Sequence, residues 1–348
     1  MSRAVFAVPG DLSTPTGGYA YDRRIIAGLT ALGWSVDVLD LGDGFPAAGE
    51  EREDRAVALL LGTPRDAALV IDGLALGALP RAAARLKATH RVIALVHHPL
   101  ACESGLREDL RQMLHASERE ALAHVRGVVV TSAFTGKLLT RDYGVPETAI
   151  AVVRPGNERV PAAAGSGDRL SLLAVGSVVT RKGYDVLVAA LATVKDLPWT
   201  LTIAGDLGRD PAAARGVEAS IARHGLQERI VLAGAVPDEA LAALYERADL
   251  FVLASRFEGY GMALADAVAY GLPVVATKAG AIPEAVPADA GILVPPEDVA
   301  ALASALRRVI GNETERLRLA AHARAAASCL PTWDDQAKLF ARAIGHFA

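Results

Sequence analysis

The stretch Ser255-Arg-Phe-Glu258-Gly-Tyr-Gly261-Met-Ala-Leu-Ala-Asp266, running on to Gly271-Leu-Pro-Val-Val-Ala-Thr277, carries the densest chemistry in the chain. The apolar run 250–253 leads into it as a strand, and a helix is expected from about Met262. Gly271 and Pro273 then stop that helix before the next strand. A glycine loop entering a helix leaves the first backbone N–H groups without partners, and the helix dipole adds partial positive charge there. Such an end binds phosphate. The N–H groups of Gly259, Tyr260, Gly261, Met262 and Ala263 would line it. Glu258, just before the helix, could reach past a phosphate toward a sugar, and Asp266 could accept hydrogen bonds from ribose hydroxyls. Taken alone, either carboxylate reads as a solvated surface charge. The loop and helix around them turn the reading toward a site.

Three other places carry comparable chemistry. Val175-Gly-Ser-Val-Val-Thr-Arg181-Lys182-Gly183 follows a strand and opens a helix with two adjacent cations. Cations at a helix N-terminus oppose its dipole, so an anion is expected between them. Pro15-Thr-Gly17-Gly18-Tyr19 follows the first strand and enters a helix, without the G-x-G-x-x-G spacing of a dinucleotide fingerprint. His97-His98-Pro99 ends the strand 91–96, at the carboxyl edge where ligand-facing residues belong. His97 is the candidate for contact with substrate. His98 is expected to hold the loop or touch an acceptor, with Glu103 and Arg107 beyond it on the acceptor side. Adjacent histidines need further ligands to make a metal centre, and none stands at motif spacing, so no metal is expected.

The elements that must position these residues are short β-branched runs alternating with longer helical patterns. Strands are expected at 3–8, 35–40, 69–72, 91–96, 127–131 and 150–153, with helices at 19–32, 81–87, 106–124 and 133–143. The segment 154–167, rich in Pro, Gly and small residues, breaks both periodicities. Alternation restarts with strands at 170–175, 200–204, 230–232, 250–253, 273–276 and 291–294. Alternation of this kind gives βαβ units and parallel sheets. The fold class is therefore α/β, with two Rossmann-like doubly wound domains facing across a cleft. The first covers residues 1–160, the second 168–330, and residues 331–348 form a final helix. The 348 residues suit two domains.

Composition narrows the function classes. The net charge of −4 is spread over both halves, which speaks against a nucleic-acid partner. It argues mildly against tight docking to an anionic membrane while leaving peripheral contact open. The two cysteines, Cys102 and Cys329, lie too far apart in sequence to suggest a disulfide framework, and reduced thiols are expected. No run approaches the ~18 apolar residues of a membrane span. The apolar opening 4–8 is too short for the core of a signal peptide, so a cytoplasmic protein is expected.

Taken in order, these motifs resemble those of the retaining group 1 (family four) glycosyltransferases of the GT-B fold. Glu258 to Asp266 with Gly271-Leu-Pro-Val-Val275 is similar to that family's E-G-F-G-x-x-x-x-E-A signature and its G-x-P-V-V ending. Val175 to Gly183 resembles the strand and loop with the phosphate-binding basic pair. Ala204-Gly-Asp206, Gly234-Ala-Val-Pro237 and Gly280-Ala-Ile-Pro-Glu284 fall where the family has turns. Tyr143-Gly-Val-Pro146 and Val153-Arg-Pro-Gly156 resemble the approach to the linker, and Trp333 the start of a helix that crosses back to the N-terminal domain. Two positions depart from the pattern: Asp266 replaces a glutamate, and Ser177 stands where an arginine is frequent.

The resemblance implies transfer of a hexosyl group from a nucleoside-diphosphate sugar, UDP before GDP, to a small-molecule, glycan or lipid-linked acceptor, in envelope polysaccharide or glycolipid synthesis. It implies no cofactor. Lys182, Arg181, the 259–263 backbone and the Gly17-Gly18 loop would hold the diphosphate, while Glu258 and His97 would hold the sugar. Same-face attack, with the departing phosphate taking the acceptor proton, needs no pair of glycosidase carboxylates. Hinge closure through 154–168 would assemble the site. Two alternatives stay open: an epimerase or hydrolase of the same fold, and a degenerate protein that binds a nucleotide sugar without turning it over.

Overall fold

Runs that are apolar at every position, rather than at alternate ones, form strands buried on both faces, and such strands pair in parallel under covering helices. The computed structural model, which describes residues 2–47, 49–167 and 169–347, shows this in two compact units. The first comprises residues 1–156 with 331–348, and the second residues 157–330.

In the first unit, strands β1 (Arg3–Val8), β2 (Ser35–Asp40), β3 (Ala68–Asp72), β4 (Arg91–Val96), β5 (Gly127–Val130) and β6 (Ile150–Val152) make one parallel sheet in the order β2-β1-β3-β4-β5-β6. Every residue of β3 and β5 is buried. Chain order reverses between β1 and β3, so the connections leaving their carboxyl ends diverge and open a crevice there. The helix Gly17–Ala31 leaves β1, capped by Thr16, whose hydroxyl accepts from the Tyr19 amide.

The final helix, Trp333–Phe347, completes this unit. Its buried residues Ala337, Phe340, Ile344 and Phe347 recur at helical spacing. Phe340 stacks on Phe6 at 5.7 Å between ring centroids. A Cβ on Gly28 would collide with that of Ala337, and one on Gly127 with the ring of Phe347. These glycines let the helix approach helix 17–31 and the sheet.

In the second unit, β7 (Leu170–Val175), β8 (Trp199–Ala204), β9 (Ile230–Gly234), β10 (Leu250–Leu253), β11 (Val274–Thr277) and β12 (Gly291–Val294) pair in parallel as β12-β11-β10-β7-β8-β9. Read from β9, this is the 3-2-1-4-5-6 order of dinucleotide-binding sheets. The reversal falls between β7 and β10, the two strands that feed the motif loops.

The chain divides at Gly156, earlier than the expected end of the first domain at 160. Hydrogen bonding accounts for the shift. The Arg159 guanidinium donates to the carbonyls of Ala327 and Leu330, and the Ala163 and Ala164 amides donate to those of Tyr270 and Glu246. Asp168, expected to open the second domain, lies outside the described residues. Among the described residues no helix is long and apolar enough to cross a membrane.

Filling the contact at Gly28 should be costly. Gly28→Val is expected to destabilise the first unit by about 1–3 kcal/mol through overpacking. Gly216→Ala, at a helical position where a Cβ meets nothing within 4 Å, should instead stabilise the second by about 0.4–1 kcal/mol. Thermal denaturation of the two variants beside the parent protein checks both signs.

Candidate functional site

In the second unit the loops after β7 and β10 meet through one carboxylate. Glu258 is only 6% exposed. Its Oε1 accepts from Lys182 Nζ at 2.7 Å and from Ser255 Oγ at 2.6 Å, and Arg181 Nη1 lies 3.4 Å from Oε2. Arg181 Nη1 also donates to the Phe257 carbonyl at 2.9 Å, tying the basic pair to the loop that carries Glu258. The anion expected between the two cations is thus supplied within the unit itself. Burial alone would raise the Glu258 pKa, but Lys182 and Arg181 outweigh it and hold the carboxyl down to about 2.

Glycines make this closeness possible. Gly183 has φ +63°, and a Cβ there would strike the Ala254 carbonyl at the end of β10. Gly280 has φ +58° and lies against the Glu258 backbone, while the next amide, Ala281 N–H, donates to the Glu258 carbonyl at 2.9 Å. The Gly280-Ala-Ile-Pro-Glu284 turn therefore clamps the backbone from which Glu258 projects. A Cβ on Gly176 would meet Lys182 Cε at 2.7 Å, so the aliphatic stem of the lysine lies along this glycine.

The helix begins at Met262 with Gly261 as its cap at φ +94°, a conformation that favours glycine. Gly259, Tyr260 and Gly261 are buried and Met262 half-buried. Among the described residues the Met262 and Ala263 amides have no acceptor, as the first turn of a helix dictates. Asp266, one turn further, is half-buried, and its Oδ1 accepts from Asn157 Nδ2 at 3.1 Å. Asn157 is 4% exposed, and its own Oδ1 is buried without a hydrogen-bond partner among the described residues. Sequence reasoning gave Asn157 no role, since it stands 109 positions from Asp266 in the linker. Ser255 lay inside the quoted motif, three residues before Glu258, and was also missed.

In the first unit, Gly17 and Gly18 open the helix that leaves β1. A Cβ on Gly18 would sit 3.1 Å from His97 Cδ2, whereas one on Gly17 meets nothing within 4 Å. His97 follows β4, with its Nε2 3.2 Å from Asp22 Oδ1 and 3.7 Å from Asp72 Oδ2. His98 pairs with Glu103 at 3.6 Å, and Arg107 pairs with Asp109 on the surface. Asp22, Asp72 and His97 bring three ligand-type atoms within 4.8 Å of one another, the grouping of that kind found among the described residues. The fold has supplied His97 with carboxylates that no motif spacing announced. Of the two, Asp22 is within hydrogen-bond distance of the imidazole and Asp72 lies just beyond it.

Two doubly wound parallel sheets with their candidate groups at the carboxyl edges define a GT-B fold. Solved structures of that architecture align over nearly the whole chain. A sucrose-phosphate synthase from Thermosynechococcus elongatus superposes with a TM-score of 0.82 at 22% identity, covering 98% of each chain. Anabaena Alr3699/HepE in complex with UDP-glucose does so at 0.79 and 19%, covering 99% of this chain and all of that one. Residues 169–312 match the family Glycosyl transferases group 1. Over this stretch of the second unit the chain is similar to the group 1 glycosyltransferases. A D-inositol 3-phosphate glycosyltransferase of Xylanimonas cellulosilytica is 33% identical over 238 residues, 63% of this chain and 57% of that protein. An MMP alpha-(1->4)-mannosyltransferase of Mycolicibacterium hassiacum is 28% identical over 81% of this chain and 71% of its own length. The alignments with the first curated relatives span about half of those relatives' length.

Removing the carboxylate would strand two cations. Glu258→Gln is expected to destabilise the second unit by about 3–5 kcal/mol near neutral pH. Because the folded-state pKa is depressed, the native contribution is complete above the ordinary glutamate value of ~4.3 and fades as pH falls toward about 2. Urea denaturation should therefore show a gap between variant and parent that is wide at pH 7 and narrower at pH 3. A gap independent of pH would contradict the ion cluster.

Proposed function

We propose that the protein is a retaining glycosyltransferase that moves a hexosyl group from a nucleoside-diphosphate sugar to a hydroxyl acceptor. The observation that carries this reading is the meeting of Arg181, Lys182, Glu258 and the Gly261-capped helix start where the strand order of the second sheet reverses. Breaking the anomeric C–O bond builds negative charge on the departing diphosphate. Preorganised donors aimed at that charge supply most of the rate of such a reaction. Lys182, Arg181 and the amides of Met262 and Ala263 are those donors here. Glu258 is already held as an anion by the two cations, so it serves as an acceptor for sugar hydroxyls rather than as a proton donor. Asp266 with Asn157 is the candidate for the ribose hydroxyls, the amide of Asn157 compensating in reach for the shorter acid.

The first unit contributes Gly17 and Gly18 toward the diphosphate and His97 toward the sugar. Same-face attack would let the leaving phosphate take the acceptor proton. UDP is the favoured nucleotide. The Anabaena structure holds UDP-glucose, and a TarM structure holds UDP.

Thermal denaturation with millimolar UDP, GDP, ADP and dTDP identifies the donor class. A nucleotide at ~100 times its Kd adds about 2.7 kcal/mol, a shift of a few degrees. With the matching sugar nucleotide, Lys182→Ala and Glu258→Ala should each lower turnover roughly a hundred- to thousandfold, assayed at a temperature where the variants stay folded. Full turnover in both, or no response to any nucleotide, would defeat the proposal.

A further inference from the structure

Asp22 is a buried acid that the reading above does not use. It is 0% exposed, its Oδ1 takes the hydrogen bond from His97 Nε2, and its Oδ2 is buried with no partner among the described residues. A carboxylate so placed is costly unless positive charge lies beside it. Among the described residues the imidazole of His97 is the titratable cation that touches it. Asp72, 5% exposed at the end of β3, stands 3.7 Å from the same nitrogen, while its Oδ1 accepts from the Leu74 amide at 2.7 Å. Two acids therefore face one nitrogen of one ring.

The remaining contacts of His97 fix its orientation. The Tyr21 ring meets it edge-on at 5.3 Å, Gly18 lies against Cδ2, and Thr131 Oγ1 donates to its carbonyl at 3.2 Å. Asp22 and Tyr21 come from the helix after β1, Asp72 from the end of β3, Thr131 from the end of β5. Asp22 and Asp72 are the acidic groups these elements turn toward the ring. With Nε2 committed inward, Nδ1 has no hydrogen-bond partner among the described residues, although a fifth of the side chain is exposed.

We propose that Asp22 and Asp72 are positioning residues that hold His97 as an imidazolium, with Nε2–H bound to Asp22 and Nδ1–H presented outward as a donor to a sugar hydroxyl or phosphoryl oxygen of the substrate. The electrostatics agree with this geometry. Burial alone would lower the imidazole pKa, but Asp22 and Asp72 outweigh it and raise it above the ordinary value. Burial, and after it the neighbouring Asp22, push the Asp72 carboxyl well above its ordinary value, which eases the crowding of two acids at one nitrogen. A proton between His97 and Asp22 balances the charge, and no metal ion is called for.

The part of this inference that concerns substrate rests on the transferase reading, and the protonation state does not. Long-range proton–nitrogen NMR of protein labelled with nitrogen-15 histidine, with His97→Asn to assign the signal, reports the ring directly. The expected result is a His97 ring in its cationic form at pH 7, titrating above pH ~6.5, the ordinary histidine value. In Asp22→Asn that titration should move down by about one unit or more, and in Asp72→Asn by less. If Asp22→Asn does not fold, Asp72→Asn, which keeps the helix-capping oxygen, still tests the direction. A neutral ring at pH 7, an unmoved titration in the folded variants, or a His97 signal that changes on adding zinc or manganese and reverts with chelator, would each overturn the proposal.

Activity supplies the second readout. A raised histidine pKa means the proton is lost as pH rises, so kcat/KM should fall on the alkaline side through the His97 titration. Asp22→Asn should bring that fall to lower pH, costing roughly tenfold at alkaline pH for each unit of displacement. A cationic ring with an unmoved pH profile would leave the ion cluster standing and overturn instead the role given to His97 in transfer.

Discussion

Glu258 cannot be left alone where it is. A carboxylate sealed from water needs positive charge and hydrogen bonds within reach, or the fold around it loses several kcal/mol. Lys182, Arg181 and Ser255 meet that demand, and each must come from a particular place. The lysine and arginine require the turn after β7 to pass close to the end of β10, which only Gly183 permits. The backbone of Glu258 requires the clamp at Gly280 and Ala281. The glycines of two separate motifs are thus consequences of one buried charge.

The same constraint places the site at a topological position rather than merely in a loop. Strands β7 and β10 are neighbours whose onward connections run to opposite sides of the sheet, so their loops part and leave room for a ligand. The first sheet has its own reversal between β1 and β3, and there too the polar residues collect. Gly18 and Asp22 follow β1, Asp72 ends β3, and His97 ends the adjacent β4. Two sheets of different strand order have each concentrated charge at the crevice that parallel pairing creates. In both, a side chain of one sign is kept in place by partners from elements far away in sequence.

What could be read from the sequence divides along that line. Local chemistry was legible. The strands could be read because β-branched runs such as Leu69–Asp72 and Leu250–Leu253 had no polar alternation, and the helix after Gly261 because a glycine loop and the Gly271-Leu-Pro273 stop bracketed it. The identity of Glu258, Lys182, His97 and Asp266 as candidates followed from position within motifs. The partners of those residues were not legible. Asp22 and Asp72 are ordinary acids 50 positions apart, and only the order β2-β1-β3-β4 sets both beside His97. Asn157 sat in a stretch read as a linker, where nothing local distinguishes a structural amide from a solvated one. The end of the first domain was placed four residues late for a related reason. The hydrogen bonds that draw 159–164 onto the second unit go to carbonyls at 246, 270, 327 and 330.

The return of residues 331–348 to the first unit has a consequence for how the molecule is made. The second unit is one continuous stretch, 157–330, and can close its core as soon as that stretch has left the ribosome. The first unit is begun earliest and finished last. Until the helix Trp333–Phe347 arrives, Phe6 lacks its stacking partner, and Gly28 and Gly127 lie as empty notches on an exposed apolar face. Throughout synthesis of the second unit, the half-built first one must stay clear of neighbouring nascent chains with that face uncovered.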